Sequence, residues 1–233
     1  MRVGSCYWIS GWASDISIWE DEIYERFPNF SHCFTDYGDL IAGDDPDDFW
    51  DKNPRVAEDG IVIGWSMGSL ALLRNLHKKP KEQKWILICP IADFCTEGCW
   101  SRAAVRATRQ GILENTEQTL VSFAALMGAQ KEEQKKWVEN AMRYSTKQLV
   151  KGLDYLVQKK MDFSDFKDAE QLELIFGEQD KVVSPAQKEL FTSLNKKELR
   201  IEIHENLGHW LPDYFVTVQN HTYFFKTSLL DTK

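Results

Sequence analysis

The segment Gly60-Ile61-Val62-Ile63-Gly64-Trp65-Ser66-Met67-Gly68-Ser69 constrains this chain more than any other part of it. A short β-branched run of this kind suits a strand buried on both faces. It leads directly into Gly-x-Ser-x-Gly, after which Leu70, Ala71 and Leu73 open an apolar helix. A strand that becomes a helix within one residue holds its serine in a strained backbone geometry. Gly64 and Gly68 allow strand and helix to approach with no Cβ between them. The helix then directs its free N–H groups and dipole toward whatever Ser66 attacks. Ser66 is therefore the candidate nucleophile.

The same alternation extends along the chain. Buried strands are predicted at Val3 to Ile9, His32 to Thr35, Gly60 to Ile63, Lys84 to Cys89, Leu172 to Phe176 and Leu199 to Ile203. Helices are predicted at Ile18 to Arg26, Ser69 to His77, Pro185 to Leu194 and Phe215 to Ser228. Strand-then-helix repetition implies an α/β fold with a mostly parallel, doubly wound sheet. Residues 94–166 break the rhythm with helical spacing throughout, including Leu120, Phe123, Leu126 and Met127. They read as a helical cap inserted into a core formed by residues 1–93 and 167–233.

Charge separates these two parts. The chain carries −8 overall, whereas residues 101–160 hold 11 Lys plus Arg and 6 Asp plus Glu, a net of +5. An acidic body without a basic tail argues against nucleic-acid binding. A basic insertion either attracts an acidic partner or forms an ordinary solvated helix surface. No apolar run is long enough for a signal segment or a membrane span, so a cytoplasmic protein is expected. Cys6, Cys33, Cys89, Cys95 and Cys99 are odd in number and fit reduced thiols. Cys95 and Cys99 could face each other on a helix, but no further ligand completes a metal site, and neither metal nor cofactor is expected.

A serine nucleophile needs a base, and the base needs an orienting acid. After the strand at Leu174 to Phe176, the turn Gly177-Glu178-Gln179-Asp180 presents Asp180. After the strand at Leu199 to Ile203, the turn Asn206-Leu207-Gly208-His209 presents His209. Both lie beyond carboxyl ends of strands, as Ser66 does, and parallel strands gather those ends. His204 is the rival base and Asp213 the rival acid, while His32, His77 and His221 read as surface or helix residues. The oxyanion donors expected with such an elbow are the N–H of Met67 and one from the loop Ser10-Gly11-Trp12, that of Trp12.

With these motifs in place the chain resembles the α/β-hydrolase superfamily. Within it, the chain is similar to the pimeloyl-acyl-carrier-protein methyl ester esterases of biotin synthesis, over nearly its whole length. The likeness rests on Gly11-Trp12, on the Gly-Trp-Ser-Met-Gly elbow, and on Ser122-Phe123-Ala124-Ala125-Leu126-Met127-Gly128 and Lys151-Gly152-Leu153-Asp154-Tyr155-Leu156 in the cap. It implies a serine carboxylesterase that takes the methyl ester of a pimeloyl chain held on acyl carrier protein; the sequence leaves the oligomeric state open, with a monomer favoured. Trp12, Trp65, Phe123, Leu126 and Met127 would wall an apolar tunnel for the chain. The sequence departs from the superfamily in lacking two antiparallel edge strands, in having Ser10-Gly11 where His-Gly is usual, and in placing Thr119 and Ser122 where the family has cationic residues. Arg102, Arg106, Arg109, Lys131, Lys135, Lys136, Arg143 and Lys147 could supply the carrier-binding field instead. The same triad would also serve a thioesterase or a small-acyl-ester esterase, and a binding protein with a vestigial triad is the reading from another class.

Overall fold

The computed structural model describes residues 4–43, 45–53, 60–164, 166, 170–184, 186–193 and 199–221. Six strands, β1 (Gly4–Ile9), β2 (Phe30–Thr35), β3 (Ile61–Trp65), β4 (Lys84–Ile88), β5 (Leu172–Gly177) and β6 (Arg200–His204), form one sheet. Their order is β2-β1-β3-β4-β5-β6, and every pairing is parallel. Each residue of β3, β4 and β5 is buried, as strands covered on both faces require.

The chain starts at β1, moves outward to β2, then returns past β1 to β3. The strand order reverses there, so the loops leaving β1 and β3 diverge from a crevice above their carboxyl ends. Register aligns Ile9 with Gly64 across this gap. At the other side, Gly177 of β5 pairs with His204 of β6, and the loops after both strands begin together.

Helices α1 (Glu20–Arg26), α2 (Tyr37–Leu40), α3 (Phe49–Lys52) and α4 (Met67–Arg74) belong to the first half of the sheet. Helices α5 (Arg102–Glu114), α6 (Thr116–Met127), α7 (Lys131–Ala141) and α8 (Thr146–Gln158) follow β4, and α9 (Gln187–Thr192) lies between β5 and β6. Polar caps define the inserted helices. Ser101 accepts from the Ala104 N–H, Asn115 accepts from the Gln118 N–H, and Ser145 with Gln148 forms a reciprocal capping box. Gly128, in the left-handed region at φ 88°, ends α6. An antiparallel bridge between Asp93 and Lys160 pinches the insertion at its neck, where the Met161 N–H donates to the Ala92 carbonyl.

Several predicted elements differ in extent. The first helix divides into a 3-10 turn at Ile16–Trp19 and α1. Helix α4 starts two residues earlier than its periodicity suggests, because the turn at Ser66 opens directly into it, and a separate turn at Leu76–Lys78 follows. The last helix is described over residues 215–221, and the rest of its predicted span lies outside the described residues, as do Val3, Pro185 and Leu194. Helical structure in the insertion begins at Arg102, not Phe94. The Asp93 carboxylate accepts from the Cys95 N–H, Gly98 takes φ 78°, and the segment coils into turns. Cys95 and Cys99 therefore do not share a helix face, and the Cys99 sulfur accepts from the Gln187 amide instead. No helix among the described residues is long and apolar enough to cross a membrane.

Candidate active site

Ser66 takes φ 55° and ψ −120°, a conformation unfavourable to any residue with a Cβ. Close packing on both sides holds it there. A Cβ on Gly68 would lie 2.5 Å from the Ile9 carbonyl oxygen, and one on Gly64 would lie 2.5 Å from a Leu72 methyl. The Ser69 hydroxyl donates to the Ser66 carbonyl at 2.5 Å and accepts from the Ile91 N–H at 3.1 Å, which pins the turn to the loop after β4. The Ser66 N–H donates to the Ile88 carbonyl.

The three residues assembled from sequence meet in space. The Ser66 hydroxyl donates to His209 Nε2 at 3.0 Å, and His209 Nδ1 donates to Asp180 Oδ2 at 2.8 Å. The other oxygen of Asp180 accepts from the N–H groups of Val182 and Val183, each at 2.7 Å, so the carboxylate cannot swing away from the imidazole. The His209 main chain is fixed at both ends: its N–H donates to the Met127 carbonyl, and its carbonyl accepts from the Trp65 indole. His209 is 1 % exposed and Ser66 6 %.

The rivals lie elsewhere. His204 is 3.5 Å from Glu202. Asp213 follows Trp210 in a 3-10 turn, where burial and then the charges of Glu133 and Glu22 push its carboxyl above the usual range. His32 is buried, contrary to the surface placement expected from sequence. It accepts from the Trp8 indole and donates to the Phe27 carbonyl, because β2 turns it toward the aromatic layer beneath the sheet. His221 is also buried, between two carboxylates, whereas His77 is exposed.

The loop after β1 approaches the elbow closely. A Cβ on Gly11 would stand 3.2 Å from the Ser66 Cβ. Among the described residues, neither the Trp12 nor the Met67 N–H meets an acceptor. Those are the two donors expected to face an oxyanion. Trp12 packs edge-on against Phe123 at 4.8 Å, and Trp65 lies 5.4 Å from the His209 ring. Phe123 and Met127 are buried. Leu126 is not: it is 38 % exposed, because the buried stripe of α6 runs through Leu120, Phe123, Ala124 and Met127 and leaves Leu126 to one side. Leu126 therefore stands outside the stripe through which Phe123 and Met127 are buried.

Two neighbours of the triad were not anticipated. Cys89 follows β4 with φ 49°, and Tyr214 donates to the Gly208 carbonyl at 2.5 Å while its oxygen meets the Cys89 thiol at 3.4 Å. No motif announces either residue, since both act through loop closure. Cys89, Asp180 and His209 form the one group of three ligating side chains among the described residues, with ligand atoms within 4.8 Å of one another. Burial, reinforced by the charge of Asp180, pushes the thiol well above its usual range.

No protein-family model and no curated protein matches the sequence. Solved structures do match in shape. The esterase EaEST from Exiguobacterium antarcticum superimposes with a TM-score of 0.82 at 14% identity, over 97% of this chain and 92% of that one. A bromoperoxidase from Bacillus anthracis gives 0.75 at 14% identity, over 97% and 90%. The hydrolase olei00960 from Oleispira antarctica gives 0.75 at 14% identity, over 97% and 91%. The chain has the α/β-hydrolase fold.

Proposed function

We propose that the chain is a serine carboxylesterase. The observation that carries this reading is the continuous run of hydrogen bonds from Ser66 through His209 to Asp180, beside two unengaged N–H groups. His209 Nε2 takes the hydroxyl proton as Ser66 Oγ attacks the ester carbonyl. Asp180 keeps the proton on Nδ1 and stabilises the imidazolium. The Trp12 and Met67 N–H groups, with the N-terminus of α4 behind them, hold the oxyanion. His209 then protonates the departing alcohol and activates the water that releases the acid. The esterases and hydrolases among the structural neighbours favour this reading through their shared fold.

For substrate, we propose the methyl ester of a pimeloyl chain on acyl carrier protein, releasing methanol. The cap motifs and the +5 charge of residues 101–160 support it. Arg102, Arg106, Lys131, Arg143 and Lys147 are exposed, whereas Arg109 faces Asp154 at 3.4 Å and Lys135 faces Glu139 at 3.8 Å. A shorter ester or thioester is the second reading, favoured by Phe123 packing directly on Trp12. Labelling Ser66 with a fluorophosphonate tests the first claim. A chain-length series of p-nitrophenyl esters, set against the carrier-bound methyl ester, tests the second.

A further inference from the structure

The residue that offers one oxyanion donor is held by the insertion. The Trp12 indole N–H donates to the Leu149 carbonyl of α8 at 2.9 Å. The Trp12 carbonyl accepts from the Ser14 hydroxyl at 3.0 Å, and that hydroxyl in turn accepts from the Trp137 indole of α7 at 2.7 Å. Ser14 and Trp137 are wholly buried. Phe123 of α6 closes the group, edge-on to Trp12 at 4.8 Å and stacked on Trp137 at 6.0 Å. Three helices of the insertion thus fix both the side chain and the main chain of one loop residue.

The loop needs this support. Ala13, between the two bonded residues, takes φ 53°, which no glycine relieves. A non-glycine residue persists in that region only where its surroundings over-determine it. Releasing Ser14 from Trp12 would let the turn relax, and the Trp12 N–H would rotate with it. We propose that Ser14 and Trp137 are positioning residues, and that the chain from Trp137 through Ser14 to Trp12 aims the oxyanion donor from within the insertion. The inference rests on the esterase reading for its catalytic meaning, and on the hydrogen bonds alone for its structural meaning.

The variant W137F keeps an aromatic ring beside Phe123 but removes the indole donor together with some buried volume, while S14A removes the middle of the relay with little change in volume. Each should slow fluorophosphonate labelling of Ser66 about tenfold, a fraction of the loss from deleting an oxyanion donor outright. With an ester substrate, kcat should fall with KM nearly unchanged, and the double variant should be no slower than the worse single one. In protein labelled with 15N-tryptophan, the Trp12 backbone amide resonance should shift in both variants. A purely structural role predicts a lower melting temperature with that resonance and the labelling rate unmoved, and that result overturns the proposal. Additive losses in the double variant overturn it as well. If the unmodified chain resisted the probe, the esterase reading would fail, and the Trp12 amide would still decide whether the insertion aims the loop.

Discussion

The Trp65 indole N–H reaches the backbone carbonyl of His209 across 144 residues of sequence, at 3.1 Å. The residue before Ser66 thereby holds the main chain of His209, while its ring lies against the imidazole. Replacing Trp65 with Phe leaves a ring and removes the donor, so the carbonyl loses its partner at a cost of about 1 kcal/mol. We expect kcat to fall about three- to tenfold with KM little changed, since His209 stays in place but is less well aimed. Steady-state kinetics alongside a melting curve checks this.

Ser66→Ala and His209→Ala should each reduce turnover on the order of 10⁴-fold or more. His204→Ala should retain most activity, because His204 faces Glu202 and not Ser66. Asp180→Asn should damage kcat more than KM by favouring the wrong imidazole tautomer. An inactive His204→Ala enzyme of normal stability would contradict this assignment of the base.

Far from the site, His221 is caught between carboxylates. Its Nδ1 meets Glu173 at 2.5 Å and its Nε2 meets Glu202 at 2.9 Å, while the Lys84 ammonium pairs with Glu173 and donates to the His221 carbonyl. Burial works against the charge on His221, but the two carboxylates outweigh it and raise its pKa. Burial likewise opposes the charge on Glu173, yet His221 and Lys84 hold it below the carboxylate range. The raised histidine contributes stability that is complete below its unfolded pKa, about 6.5, and is lost as pH rises through the higher folded value. The depressed glutamate contributes stability present above its unfolded pKa, about 4.3, and lost as pH falls through the lower folded one. Stability should therefore peak between these limits. His221→Gln should cost about 3 kcal/mol in that window and less at alkaline pH. Urea melts at several pH values measure both.

Charge on the insertion is testable apart from the chemistry. Arg102→Glu with Arg106→Glu reverses two exposed cations and leaves the Arg109 to Asp154 pair intact. KM for a carrier-bound ester should rise and hydrolysis of a small soluble ester should hardly change. Under the carrier proposal, salt should also weaken hydrolysis of the carrier-bound ester by the unmodified chain, since exposed charges are screened over about 8 Å at physiological ionic strength. Equal effects on both esters would remove the steering role.

The elbow was legible because several local demands coincide in ten residues: a two-sided strand, close-approach glycines and an apolar helix. Asp180 and His209 were legible by their place after strands, since a parallel sheet gathers such ends. The supports of the site were not. Ser14, Ser69, Cys89 and Tyr214 act through contacts between distant segments, and a single serine or tyrosine carries no periodicity to mark it. Leu126 lies outside the buried stripe of α6, because spacing identifies a helical stripe without fixing its edge. His32 and His221 looked peripheral because a buried histidine is recognised by its partners, which lie in other strands and helices.

Strand β6 closes the sheet on the side opposite β2, and Arg200, Glu202 and His204 alternate along it. An outer strand offers unpaired main-chain groups to any other extended chain. Here Ile201 and Ile203 share their strand with polar and charged side chains, one of which, Glu202, is part of the clamp on His221. A second sheet adding to this edge would have to bring its own strand beside those charges. Removing Arg200 and Glu202 together would leave a more apolar edge strand, with Ile203 already 40 % exposed. The ion cluster that ties down the last described helix thus also places charge along the outermost of the described strands.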